Sequence, residues 1–220
     1  MEQYLSIKKS YKDAILFYRM GDFYEMFLED AIKAASILEI ALTSRNKNDD
    51  TPIPMCGVPF KAADNYIARL IENGCKVAVC EQMEDAAVTK GLVKRQVVRV
   101  ITPGMILNEK LLDKGSNNFL LALSKTRDAA GIAYLDISTG TFKTTQVKTR
   151  QSKIPLELID EALKIDAREI LLPSSFEKDP AYKHIRRIFD IKQITYLDKN
   201  DFDVEEAKER LLNKFKNRSL

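Results

Sequence analysis

Apolar residues near the start of the chain fall in short runs separated by turn-forming residues. Ala14 to Met20, AILFYRM, is a continuous apolar run that stops at Gly21, the pattern of a buried strand ending in a turn. From there Phe23, Met26, Phe27, Ala31, Ala34, Ala35 and Leu38 recur at helical spacing. Asp22 is placed as an N-cap with Glu25 three residues later, so the spacing predicts a helix that begins at Phe23. The stretch from Thr43 to Phe60, TSRNKNDDTPIPMCGVPF, is rich in polar residues, Pro and Gly and reads as a long loop, hence a candidate for function. Lys61 to Asn73 reads as a helix closed by Gly74, and Lys76 to Gln82 and Gln96 to Ile101 as strands, the second ended by Thr102-Pro103-Gly104. Residues 1–103 are therefore expected to form a mixed α/β domain.

Residues 104–117 lose this periodicity and read as a linker. From Asn118 three alternating runs, FLLALSK, AGIAYLDIS and GTFKTTQV, are joined by short turns, the mark of an antiparallel meander. Helix patterns over Ile154–Lys164, Pro180–Phe189 and Asp203–Lys216 then alternate with the strands REILLP and QITYL. Three antiparallel strands followed by helix, strand, helix, strand, helix is the layout of a ribonuclease-H-like sheet. The expected fold class is α/β (α+β) in two domains, 1–103 and 118–220. The second shows no closing element after KNRSL, so it reads as incomplete.

At 220 residues and 45% hydrophobic the chain can bury a sizeable core, and its length suits two domains of about 100 residues. The first 20 residues carry charges every few positions and no long apolar core, so they read as neither a secretory signal nor a membrane span. Cys56, Cys75 and Cys80 are odd in number, lack a CxxC pair and are far in sequence from His184, the single histidine. They read as reduced structural thiols rather than a disulfide framework or zinc site. Net charge is +3, and residues 1–103 hold 14 basic and 14 acidic side chains, leaving 21 and 18 for the rest. Neither half has the basic footprint of a stand-alone nucleic-acid binder.

Catalytic motifs are scarce. No GxxxxGK[ST] phosphate loop, GxGxxG, GxSxG or HExxH occurs. A nuclease on the second sheet would need several carboxylates around two metal ions, and Asp136 is one carboxylate with no evident partner in the neighbouring apolar runs. A lone Asp at a strand end is more often a turn or capping residue, so the nuclease stays an alternative only. From pattern alone, Phe23 reads as helix core and Glu25 as the third residue of a capping box, with an exposed ring and acceptor as the other possibility.

FYRMGDFYEMF, then TPIPMCGVPF, VAVCEQMEDA and KGLVKRQVVRVITPG, occur in the order and at the spacing of the N-terminal region of the MutS family of DNA mismatch-repair proteins. NNFLLALS and GIAYLDISTGTF resemble that family's connector domain, so the resemblance covers essentially the whole chain. It implies that Phe23 enters the minor groove and stacks on a mispaired or unpaired base in kinked DNA while Glu25 hydrogen-bonds that base. Tyr24 and Phe27 stay with the core. Arg45, Met55, Lys61, Lys94, Arg95 and Arg99 lie around these motifs and are candidates for DNA contact. Many family members have Tyr-His where this chain has Phe60-Lys61, which leaves a specific contact there open, with Lys61 placed to meet a phosphate.

The resemblance further implies a connector that links the reader to lever, clamp and ATPase domains outside this chain and offers a surface to a MutL partner. ATP and magnesium would belong to that absent ATPase domain, none to this chain, which would itself be no enzyme. The parent would be a bacterial cytoplasmic dimer, and the two-domain piece monomeric. A ribonuclease-H-like nuclease and a pure protein-interaction adaptor are the rival readings.

Overall fold

The computed structural model describes residues 1–46, 51–84, 91, 93–105, 117–149, 153–189 and 194–215. The chain divides into two compact units, Met1–Pro103 and Gly104–Leu220. Most of the expected linker, residues 106–116, lies outside the described residues.

The first unit runs α1 (Glu2–Ser10), β1 (Ala14–Met20), β2 (Phe23–Phe27), α2 (Leu28–Leu38), β3 (Thr43–Arg45), β4 (Ile53–Pro59), α3 (Ala63–Glu72), β5 (Lys76–Gln82) and β6 (Arg95–Ile101). Its six strands stand in the order β3-β4-β2-β1-β5-β6, with β1 and β5 parallel and the other pairs antiparallel.

Two expectations fail here for one reason. Phe23–Phe27 is a strand, not the start of a helix, and Asp22 caps nothing: the residue before α2 is Phe27, with no side-chain cap. Gly21 and Asp22 are instead the two loop residues of a hairpin whose register pairs Met20 with Phe23 and Tyr18 with Glu25. Gly21 takes φ 58°, as the first position of a tight hairpin turn requires. The chain swings into helix only at Leu28, where φ is 56°. In a five-residue strand, Tyr24 and Met26 alternate inward while Phe27 is buried on the other face, so the apolar positions fit both periods and the hairpin partner decides. The second failure is the long loop over Thr43–Phe60, most of whose described residues form β3 and β4. β4 is admitted because β2 offers it an open edge, pairing Glu25 with Gly57 and Phe27 with Met55.

Strand alternation divides the buried residues between the two faces of this sheet. On one, Phe17, Tyr24, Met26, Val58, Val77 and Val79 belong with the inward residues of α2 and α3, among them Ala31, Ala34, Leu38, Ile67 and Leu70, all buried. On the other, Leu16, Tyr18, Phe27, Ala78 and Cys80 pack with Tyr4 of α1. That helix is latched by Asp30 of α2, whose buried carboxylate accepts from Lys8 Nζ (2.8 Å), the Tyr4 hydroxyl (3.1 Å) and the Leu16 amide (3.0 Å). The three cysteines are free and buried, as reduced structural thiols. Burial pushes the Cys56 and Cys80 thiols up to about 11.

The second unit contains β7 (Phe119–Lys125), β8 (Ala129–Asp136), β9 (Thr141–Lys148), α4 (Leu156–Ile165), β10 (Glu169–Pro173), α5 (Ser175–Lys178), α6 (Ile185–Ile188), β11 (Ile194–Leu197) and α7 (Val204–Phe215). The single helix expected over Pro180–Phe189 is replaced by a 3-10 turn at Pro180–Tyr182 and one short α-helix, α6. The sheet order β11-β10-β7-β8-β9, with an antiparallel meander and two parallel strands, is the ribonuclease-H-like arrangement. Its core gathers Leu121, Leu123, Ile132, Leu158, Ile159, Ile170, Leu172, Phe176 and Ile185. Among the described residues no helix is long and apolar enough to cross a membrane.

Candidate nucleic-acid interface

The β1–β2 hairpin ends in a two-residue turn, and Phe23 is the first residue after it. Its ring is 47% exposed, although the neighbouring aromatic residues Tyr24 and Phe27 are buried. Alternation along β2 puts Phe23, Glu25 and Phe27 on the face shared with α1, and the register adds Met20 and Tyr18 from β1 and Met55, Gly57 and Pro59 from β4. α1 covers the Leu16–Phe27 end of this face and leaves the hairpin tip open. An exposed ring and a half-buried carboxylate two residues apart thus project from one rigid surface.

Glu25 is tuned by opposed influences. Burial pushes its carboxyl above the ordinary value, while the Arg45 and Arg95 guanidiniums pull it down, with burial prevailing. Arg45 pairs with Ile53 at the sheet edge, sits 5.8 Å from the Phe27 ring centre, and is exposed. Met55, half-buried, pairs with Phe27 and lines the same face.

The tip is held from behind by Arg19. Its guanidinium lies 3.4 Å from the Phe60 ring centre, approaches Glu81 at 3.9 Å, and donates from Nε to the Gly21 carbonyl at 2.5 Å. Glu81 also accepts from the Tyr24 hydroxyl, which with burial pushes that phenol up to about 12. The Phe60 amide donates to the Asp22 carbonyl (2.8 Å), tying the end of β4 to the turn. Sequence reasoning missed Arg19; its signal was the alternation that puts Arg19 on the face opposite Met20.

The remaining candidates separate. Exposed Lys61 follows Phe60 beside the turn, and exposed Lys94 precedes β6 with its amide donating to Glu84 (3.2 Å). Arg95 is half-buried and committed to the fold: it donates to the Arg19 carbonyl (2.8 Å), the Val93 carbonyl (3.0 Å) and Gln3 (3.2 Å), and stacks 4.9 Å from the Tyr18 ring centre. Arg99 pairs with Val79 and meets Asp64 of α3 at 3.5 Å, which places it on the opposite face from Phe23 and Glu25.

In the second unit Asp136 is 1% exposed and accepts from the Ser138 hydroxyl (2.6 Å), the Ser138 amide (2.9 Å) and the Asn118 amide (3.2 Å). These hydrogen bonds hold its carboxyl below the ordinary value against burial, as in a turn-capping residue. Sequence reasoning passed over Glu169, a second buried carboxylate, which accepts from the Thr195 hydroxyl and the Gly104 amide. The register aligns Glu169 with Leu120 and Leu120 with Leu135, so Asp136, one residue on, points to the other face. The two carboxylates do not converge.

Fold and site define a class: a two-domain α/β protein whose first domain presents an aromatic ring and a carboxylate at a hairpin tip and whose second is a ribonuclease-H-like sheet. Residues 1–110 match the family model of MutS domain I, and residues 118–220 that of MutS domain II. The whole chain is 65% identical to the DNA mismatch repair protein MutS of Desulforapulum autotrophicum and 54% identical to that of Desulfosudis oleivorans, covering 25% and 24% of those proteins. A 180-residue stretch is 52% identical to the MutS of Desulforamulus reducens, covering 81% of this chain and 20% of that protein. The chain belongs to the MutS family of DNA mismatch repair proteins, and spans about a quarter of the length of these curated relatives.

Proposed function

We propose that the first domain reads mispaired or unpaired bases in duplex DNA, with Phe23 as a minor-groove wedge and Glu25 as the hydrogen-bonding partner of the displaced base. The observation that carries this reading is the exposure of Phe23 at the hairpin tip, beside Glu25. A ring stacked on a base contributes about 1 to 3 kcal/mol. Opening a well-stacked step costs a few kcal/mol. These nearly cancel, so the sign is set by how much stacking the step has already lost, and selectivity follows deformability rather than a base code.

Glu25 sharpens the choice. A carboxylate near phosphates is repelled, and its burial already favours the neutral form. Against a paired step that repulsion stands uncompensated, whereas at a mismatch a hydrogen bond offsets it. Arg45, Lys61, Lys94 and Met55 act in this reading as supporting DNA contacts of the first domain; Arg95 and Arg99 support through the fold, from the positions given above.

The second domain, in this reading, joins the reader to the parts of the longer relatives outside this chain and offers a surface to a MutL-type partner. ATP and magnesium belong to those other parts: the residues here do not fit them, since Asp136 and Glu169 face opposite ways and are engaged by hydrogen bonds. The protein acts in the bacterial cytoplasm, dimerising through regions beyond these two domains.

Wedge insertion kinks DNA, so energy transfer between dyes at the ends of a single-base-bulge duplex should rise when the full-length protein binds. With Phe23→Ala it should stay at the free-DNA value while binding remains detectable. An undiminished kink in that variant would remove Phe23 from the role.

A further inference from the structure

Among the described residues, glycines have identifiable reasons, with one exception. Gly21, Gly74, Gly91 and Gly140 occupy positive φ. Gly104 is required by packing, since a Cβ there would lie 2.8 Å from Leu120 Cδ1 and 2.9 Å from Glu169 Cβ. Gly131 is tight, at 3.2 Å from the Thr145 carbonyl oxygen. Gly57 differs: it is exposed, has no positive φ, and its added Cβ would meet only ordinary contacts. Those are 3.4 Å to the Tyr24 carbonyl oxygen, 3.7 Å to Glu25 Cγ and 3.9 Å to Phe23 Cδ1.

A glycine inside a strand weakens it, and where the fold does not demand it, close approach of another molecule is the remaining cause. The register identifies where that approach falls. Gly57 is the cross-strand neighbour of Glu25, between Met55 and Pro59, on the face that carries Phe23. Its bare Cα leaves a notch beside both the ring and the carboxyl.

We infer that Gly57 is a specificity-determining residue: its missing side chain is the clearance through which a displaced nucleobase and its sugar reach Phe23 and Glu25 together. This rests on the mismatch-reading role proposed for those two residues. A methyl group at Gly57 stands between ring and carboxyl, where a stacked base must lie, without disturbing the backbone. Matched duplex, which does not enter the notch, is unaffected.

The test is competition binding of the full-length protein and its Gly57→Ala, Gly57→Val and Phe23→Ala variants to a single-base-bulge duplex and its matched twin, with a melting curve for each. Gly57→Ala should melt no lower than the parent, bind matched duplex equally well, and lose at least about tenfold of its bulge preference, the scale of one lost base stack. Gly57→Val should lose more. Undiminished preference in Gly57→Ala, an equal loss on both duplexes, or a lowered melting temperature would each overturn the inference. Preference lost in Phe23→Ala but intact in Gly57→Ala sinks the notch alone, whereas preference intact in Phe23→Ala sinks the reading beneath it.

Discussion

At the residue scale, two phenylalanines four positions apart have opposite environments. Phe27 is fully buried between Tyr4 and the sheet, and Phe23 is half exposed. Phe27→Ala should therefore cost about 3 to 5 kcal/mol in a urea melt. Phe23→Ala should stay within about 1 kcal/mol of the parent. Glu25 makes a pH prediction whose sign is fixed. Its folded value is raised, so the folded chain holds the proton more tightly, and stability falls as pH rises from the unfolded carboxylate value through the folded one. Glu25→Gln should melt no lower than the parent at neutral pH and should flatten that dependence. Where the neutral carboxyl donates to the base, bulge preference should also decline in the parent, and not in Glu25→Gln, as pH rises through the raised folded value of Glu25, as competition binding across a pH series would show. None of these environments was legible from periodicity, because Phe23, Met26 and Phe27 satisfy helical spacing as well as a strand. The motif resemblance singled out Phe23 and Glu25; only the hairpin register shows what surrounds them.

At the element scale, strands with continuous apolar runs were legible, β1 and β5 among them, because burial on both faces leaves no other pattern. β2 and β4 were not, since each is specified by its partner: β4 carries two prolines and a glycine, and its pairing with β2 overrides that composition. α1 went unread because only Tyr4 is buried from it, so its apolar stripe is too thin to register. Its attachment depends on Asp30 instead. Asp30→Ala would leave the Leu16 amide and the Lys8 ammonium without their carboxylate, at a cost of about 2 to 3 kcal/mol. Amide hydrogen exchange should then lose protection over residues 2–10 before the rest of the domain; retained protection would mean that Tyr4 packing alone holds the helix.

At the scale of the whole molecule, the ribonuclease-H-like order of the second sheet was legible because a meander followed by alternating helices and strands admits few topologies. The fate of Asp136 was not, since its capping bonds come from Asn118 and Ser138 across a turn. Charge bears on function at this scale: the first 103 residues balance 14 basic against 14 acidic side chains, so under the proposed function the first domain would contribute discrimination rather than grip. Loss of the wedge should then leave a weak, salt-sensitive affinity for any duplex. The most direct test is competition between a single-base-bulge duplex and its matched twin for the full-length protein, with Phe23 intact and with Phe23→Ala, beside melting curves of both. The account predicts that bulge preference collapses to near parity while the melting temperature holds. Persistent preference, or a loss that comes only with unfolding, would contradict it and return Phe23 to the core.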